Sequence, residues 1–185
     1  MGEKGSTGAV MEGTLSKGQR LGAAVLRVAV GSIFLTAGLQ KALGEKPFNA
    51  AGFLKGGTLG TPAFGTPAEG VVYNPTHDFW VGLAANADLM AIVNWMVVFG
   101  QIAIGIALIL GIATRFAGAM GSIMMLFFLV AAWEFDHGIV NQHLAYALVT
   151  GFLAYIGAGR FYGLDALVEK IQVVRATPQL RYVLG

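Results

Sequence analysis

Four strongly apolar stretches, near residues 21–39, 89–110, 116–133 and 139–157, constrain this chain more than any other feature. Each approaches the ~20 residues that a helix needs to cross a hydrocarbon layer about 30 Å thick. Only 12% of the residues are charged and 56% are apolar, against about 25% charged in an ordinary soluble domain. So few charges cannot cover a water-facing surface. The sequence predicts an all-α fold: a four-transmembrane-helix antiparallel bundle with a long outer loop and a C-terminal amphipathic interfacial helix. Its first solvent is the lipid bilayer.

The net charge of +2 is spread over scattered basic residues, so nucleic acid is not an expected partner. The chain has no cysteine, which excludes disulfides, Cys-ligated metals and thiol catalysis. The first apolar run is longer than a signal-peptide core of about 7–15 residues. No small-x-small cleavage site follows it before Gln40-Lys41, so it reads as a retained span.

Residues 1–19 lack apolar periodicity and read as a flexible tail. Residues 20–160 hold the transmembrane domain, with an outer loop over 42–88 interrupted by Pro47, Pro62, Pro67 and Pro75. Loops this long are commonly functional. Its segment from Tyr73 to Trp80 mixes aromatic and polar groups, as membrane interfaces do. Gly111 suits the left-handed end of a helix and Thr114 suits the cap of the next, which predicts a tight hairpin. Residues 161–185 form the interfacial helix and tail. That helix begins near Asp165, with Leu164, Leu167, Val168, Ile171 and Val174 on one face.

Basic residues set the orientation. Lys4, Lys17, Arg20, Arg115, Arg160, Lys170, Arg175 and Arg181 fall on one side. The positive-inside rule makes that side, with both termini, cytoplasmic. All three histidines fall on or near the opposite face, where Glu134 and Asp136 also lie.

Several polar residues are candidates for chemistry. Arg27 lies inside the first span, where a guanidinium either snorkels to headgroups or faces the bundle interior. Arg27, Gly31, Phe34, Gly38 and Lys41 share one helical stripe, and its two glycines permit close approach of a helix or ligand. Asn94 and Gln101 share a face of the second span. The third hairpin gathers Glu134, Asp136 and His137 with Asn141, Gln142 and His143. Glu134 and His137 have the Glu-x-x-His spacing of di-iron bundles, but the second copy such sites need is missing. They remain weak metal candidates, with His143 and His77 nearby, and no metal is predicted. Asn141 is also a natural helix cap. His143, at the interface, is either a structural hydrogen-bonding group or a partner for a quinone carbonyl, since an imidazole ordinarily titrates near physiological pH.

The chain resembles the DoxX/DoxD family of small four-span membrane proteins. The resemblance rests on Leu26-Arg27 with Gly31, Gly38 and Lys41, then on the run from Gly105 through Gly111 to Thr114-Arg115. It continues through Asn141-Gln142-His143 and closes on the run from Gly157 through Gly163 to Asp165, so it covers about residues 20–167. The long outer loop looks more like the DoxD branch. That branch includes the membrane subunit of thiosulfate:quinone oxidoreductase, which implies a quinone cofactor, a second respiratory subunit as partner and a prokaryotic-type cell membrane. It suggests His143, Asn141 and Arg27 as catalytic candidates, and Arg27, Lys41, Gln101 and His143 as quinone-binding ones. Thiosulfate is a dianion that Lys41 and protonated His77 or His143 would attract, whereas Glu134, Asp136 and Asp78 would repel it. The expected function is that of an integral membrane subunit of a quinone-linked oxidoreductase. A non-catalytic accessory or assembly subunit of a larger respiratory complex is the alternative.

Overall fold

The computed structural model describes residues 15–135, 138 and 140–184. Among these residues the structure is entirely helical and contains no strand. Helix α1 runs Lys17–Ala42, α2 His77–Ala85, α3 Ala87–Leu110, α4 Thr114–Ala132 and α5 Gln142–Ile156. Two short helices follow, α6 at Asp165–Val168 and α7 at Gln172–Ala176, with 3₁₀ turns at Ala158–Arg160 and Pro178–Tyr182.

Among the described residues three helices are long and apolar enough to cross a membrane: α1 with 26 residues, α3 with 24 and α4 with 19. The fourth apolar stretch forms α5, which has only 15 residues. At 1.5 Å per residue it is roughly 22 Å long, short of a full bilayer crossing by itself. Asn141 starts it and Gly157, at φ 64°, stops it, so local capping cuts the helix inside the apolar run.

The termini follow from side-chain chemistry. Ser16 and Gln19 form a reciprocal capping box, which carries α1 back to Lys17, inside the segment expected to be tail. Asn86 accepts from Leu89 N and opens α3; Gly111, in the left-handed region at φ 67°, closes it. Packing is pairwise. On α1, Gly31 lies against Gly105 and Ile109, and Gly38 against Gln101 and Ile102, so α1 and α3 run in opposite directions. A Cβ at Gly31, Gly38 or Gly105 would press on the facing helix, and these are the contacts that glycine makes possible. On the other pair, Gly118 meets Thr150 and Ala154, and Ser122 donates to Ala147 O at 2.9 Å. Val30, Phe34, Ile104, Leu108, Ala117, Met125 and Ala147 form the core that joins the two pairs. Trp95, Phe99, Phe127, Leu148 and Phe152 each expose more than half their surface on the outside, as side chains facing lipid do.

The long loop is built rather than structureless. A π-helical turn at Phe53–Gly57 and helix α2 lie within it, packed into a second core of Ala50, Leu54, Trp80, Ala84, Met90 and Ala131. Asn74 Nδ2 donates to Val130 O and Ala131 O, at 3.1 and 2.9 Å. These carbonyls belong to the last turn of α4 and have no partner within the helix. Asn94 Oδ1 accepts from Ala50 N at 2.9 Å. Neutral amides therefore pin the loop to the ends of the bundle.

The single amphipathic helix expected from Asp165 onward is corrected. Ile171, at ψ 135°, breaks it into α6 and α7, and Asp165 is fully buried rather than interfacial. Leu167 and Ile171 of the expected apolar face stay exposed, while Asp165, off that face, is engaged by the start of α4.

Candidate functional site

The most completely buried polar cluster lies at the α3–α4 turn. Asp165 Oδ1 accepts from Ala113 N at 2.7 Å, and Oδ2 from Thr114 N at 3.0 Å. These N–H groups open α4 and would otherwise lack partners. A carboxylate there also meets the positive end of the helix dipole. Thr114, expected to cap this helix, is its first residue; it supplies no side-chain cap, and its hydroxyl is buried. The cap comes instead from about fifty residues downstream. The same segment closes the preceding helix, because Leu164 N donates to Leu110 O at 3.1 Å and Asp165 N to Gly111 O at 2.8 Å. Two consecutive residues thus satisfy the carbonyl end of one helix and the amide end of the next.

Arg27 completes the cluster. It is only 1% exposed, its Nη2 donates to Tyr162 O over a long 3.4 Å, and it is electrostatically coupled to Asp165. It does not snorkel to the surface. A Cβ at Gly111 or Gly163 would overlap its guanidinium, and one at Gly159 would overlap the Asp165 carboxylate and the Thr114 hydroxyl. Three glycines therefore make room for the buried guanidinium and the buried carboxylate. Ala113 and Tyr162, at φ 49° and 55°, hold left-handed conformations beside it, a cost that the surrounding bonds offset.

The residues expected to line one pocket are not gathered together. Arg27 sits beside Gly111, whereas His143 and Asn141 sit at the opposite end of α5, separated by the roughly 20 Å length of that helix. Asn141 caps α5 by accepting from Leu144 N at 3.0 Å, and its Nδ2 donates to Glu134 O at 2.7 Å. Lys41 Nζ donates to Ala37 O at 3.2 Å and lies 5.6 Å from the Phe48 ring centre. His143 is half-buried, edge-on to Phe128 with ring centres 6.0 Å apart, and feels the charge of Glu134. Gln101 is 4% exposed on the α1-facing side of α3, and its Oε1 has no hydrogen-bond partner among the described residues. His77 Nδ1 lies 2.8 Å from Thr58 Oγ1. His137 and Asp136 fall outside the described residues. Among the described residues no group of three His, Asp or Glu side chains is placed to hold a metal.

Sequence reasoning missed Asp165 as a site residue. A signal was present: a guanidinium inside a span calls for a counter-charge, and Asp165 and Glu169 are the acids that follow the last apolar stretch on the same side.

Long apolar helices, glycine-mediated contacts and a lipid-type exterior define an integral membrane helical protein. The sequence profile of the DoxX family matches residues 22–134, more than half of the chain, and the chain belongs to that family. Asp165, Gly159 and Gly163 lie beyond the matched region yet complete the cluster around its Arg27, Gly111 and Thr114. No curated protein and no solved structure matches.

Proposed function

We propose that this DoxX-family chain is an integral membrane subunit serving quinone-linked oxidoreduction, with Gln101 and His143 rather than Arg27 as the residues that meet the quinone. The observation that carries this reading is Gln101. A buried amide oxygen without a donor is costly in an apolar interior, and a hydroquinone hydroxyl is a donor of the right kind. His143, half-buried at the start of α5, adds an imidazole that can hold or pass a proton. A bound quinone would supply two-electron carriage; the residues Gln101 and His143 would orient it by hydrogen bonds. Arg27 supports the fold in this reading, because its guanidinium faces Tyr162 and Asp165. The short α5 completes a fourth crossing together with the turn that follows it, both termini lie in the cytoplasm, and the membrane is a prokaryotic-type cell membrane. A second respiratory subunit supplies the electron donor, thiosulfate being the one implied by the DoxD-like loop.

The test uses the full chain in nanodiscs, titrated with a quinone analogue. Gln101→Leu and His143→Ala should each weaken binding by about tenfold, the value of one good hydrogen bond in a buried site. If the unsubstituted protein binds no quinone, or both variants bind it equally well, the proposal fails.

The alternative, an accessory subunit, is favoured by one observation: Asn141 and Arg27, both catalytic candidates from sequence, make structural bonds to backbone. Purification from native membranes separates the readings. A stoichiometric redox partner that retains full activity with the His143→Ala chain would favour the accessory role.

A further inference from the structure

Two open grooves flank the basic end of the bundle, and each is lined by one arginine. The one between α1 and α3, about 430 Å³, is lined by Ala24, Val28, Ile109, Tyr162 and Arg27; Arg27 is almost fully buried there, with Nη2 on Tyr162 O and with Nε and Nη1 lacking a partner among the described residues. The one between the start of α4 and the end of α5, about 370 Å³, is lined by Arg115, Gly151, Ala154 and Tyr155. Both volumes fall in the ~300–1,000 Å³ range of small-molecule sites.

Among the described residues, positive charge is in excess at the second groove. Arg115 shares its surroundings with Arg160, Glu169 and Asp165. Glu169 is taken by Arg160, whose Nε and Nη2 donate to it at 3.0 and 2.5 Å. Asp165 accepts the α4 amides and is coupled to Arg27. Among the described residues, Arg115 Nε and Arg160 Nη1 are both buried without a hydrogen-bond partner. Beside Arg115 the groove wall is apolar and small, formed by Gly151, Ala154 and Tyr155, the last 62% exposed. Unmatched guanidinium donors above an apolar channel fit a phosphate joined to a hydrocarbon chain. Basic pockets between membrane helices bind acidic lipid headgroups in this way, and a guanidinium suits phosphate geometry.

We propose that the α4–α5 groove binds an anionic phospholipid, with its phosphate on Arg115 beside Arg160 and an acyl chain along Gly151, Ala154 and Tyr155. The choice of a lipid over a free anion rests on the apolar channel that continues from the cations. This site is independent of any quinone chemistry.

Native mass spectrometry of the full chain tests it, titrating phosphatidylglycerol against phosphatidylcholine of identical acyl chains, with inorganic phosphate as a competitor. The unsubstituted protein should prefer the anionic lipid by about fivefold or more, the worth of one lipid-facing cation. Arg115→Gln should abolish that preference, and Arg115→Lys should keep most of it. Millimolar inorganic phosphate should not displace the lipid. No preference in the unsubstituted protein, an unchanged preference in Arg115→Gln, or full displacement by inorganic phosphate would each overturn the assignment.

Discussion

The two ends of this bundle solve the same problem with different chemistry. Helix ends leave backbone groups without partners, and those groups are expensive wherever water is scarce. At the basic end a buried carboxylate, Asp165, caps α4 while its own backbone closes α3. At the opposite end neutral amides do the work: Asn74 for the last turn of α4, Asn141 for the first turn of α5, Asn86 for the first turn of α3. The charged solution requires a counter-ion and a glycine cradle, and so recruits Arg27, Gly111, Gly159 and Gly163. The amide solution requires neither. The lesson is that an arginine inside a span is not by itself a catalytic signal, because here it balances a cap.

Substitutions should separate the two ends by size of effect. Asp165→Ala removes two charge-assisted bonds and leaves Arg27 buried without its balancing charge. It should cost about 3 kcal/mol or more, read as a large fall in thermal midpoint in detergent, and Asp165→Asn should recover part of the loss. Gly111→Ala combines a left-handed backbone with a methyl group driven into the guanidinium. About 2 kcal/mol is expected, and a loss below that of an exposed glycine such as Gly82 would break the cradle argument. At the amide end Asn141→Ala should cost only about 1 kcal/mol, with faster amide exchange confined to the first turn of α5. Smallest of all, Gln101→Leu should leave the thermal midpoint unchanged or raise it, since an amide oxygen without a partner is exchanged for an apolar group. A clear drop on Gln101→Leu would mean that Gln101 has a structural partner and would remove the main support for its functional role.

Legibility from sequence followed the range of the interactions. Hydropathy placed the three long helices to within a few residues, because span length is a local property. The Gly111 turn was equally plain, and so was the Arg27–Gly31–Phe34–Gly38 stripe, most of which is buried against α3. The loop over 42–88 was less so: its order comes from Asn74 and Asn94 reaching carbonyl and amide groups 44 to 57 positions away. The C-terminal helix misled because its apolar spacing is real, while Asp165 is drawn into α4 by a bond spanning 51 residues. Arg27 and His143 were expected in one pocket because both are polar within apolar runs. Only the direction of each helix shows that they stand at opposite ends.

The central claim is that a residue beyond the last long helix holds the start of α4. Site-resolved hydrogen exchange in nanodiscs tests it most directly, comparing the Ala113 and Thr114 amides in the unsubstituted protein and in Asp165→Ala. The account predicts that both amides are protected in the former and exchange about a hundredfold faster in the latter, while the middle of α3 is unchanged. Equal protection of Ala113 and Thr114 in the two proteins would contradict it.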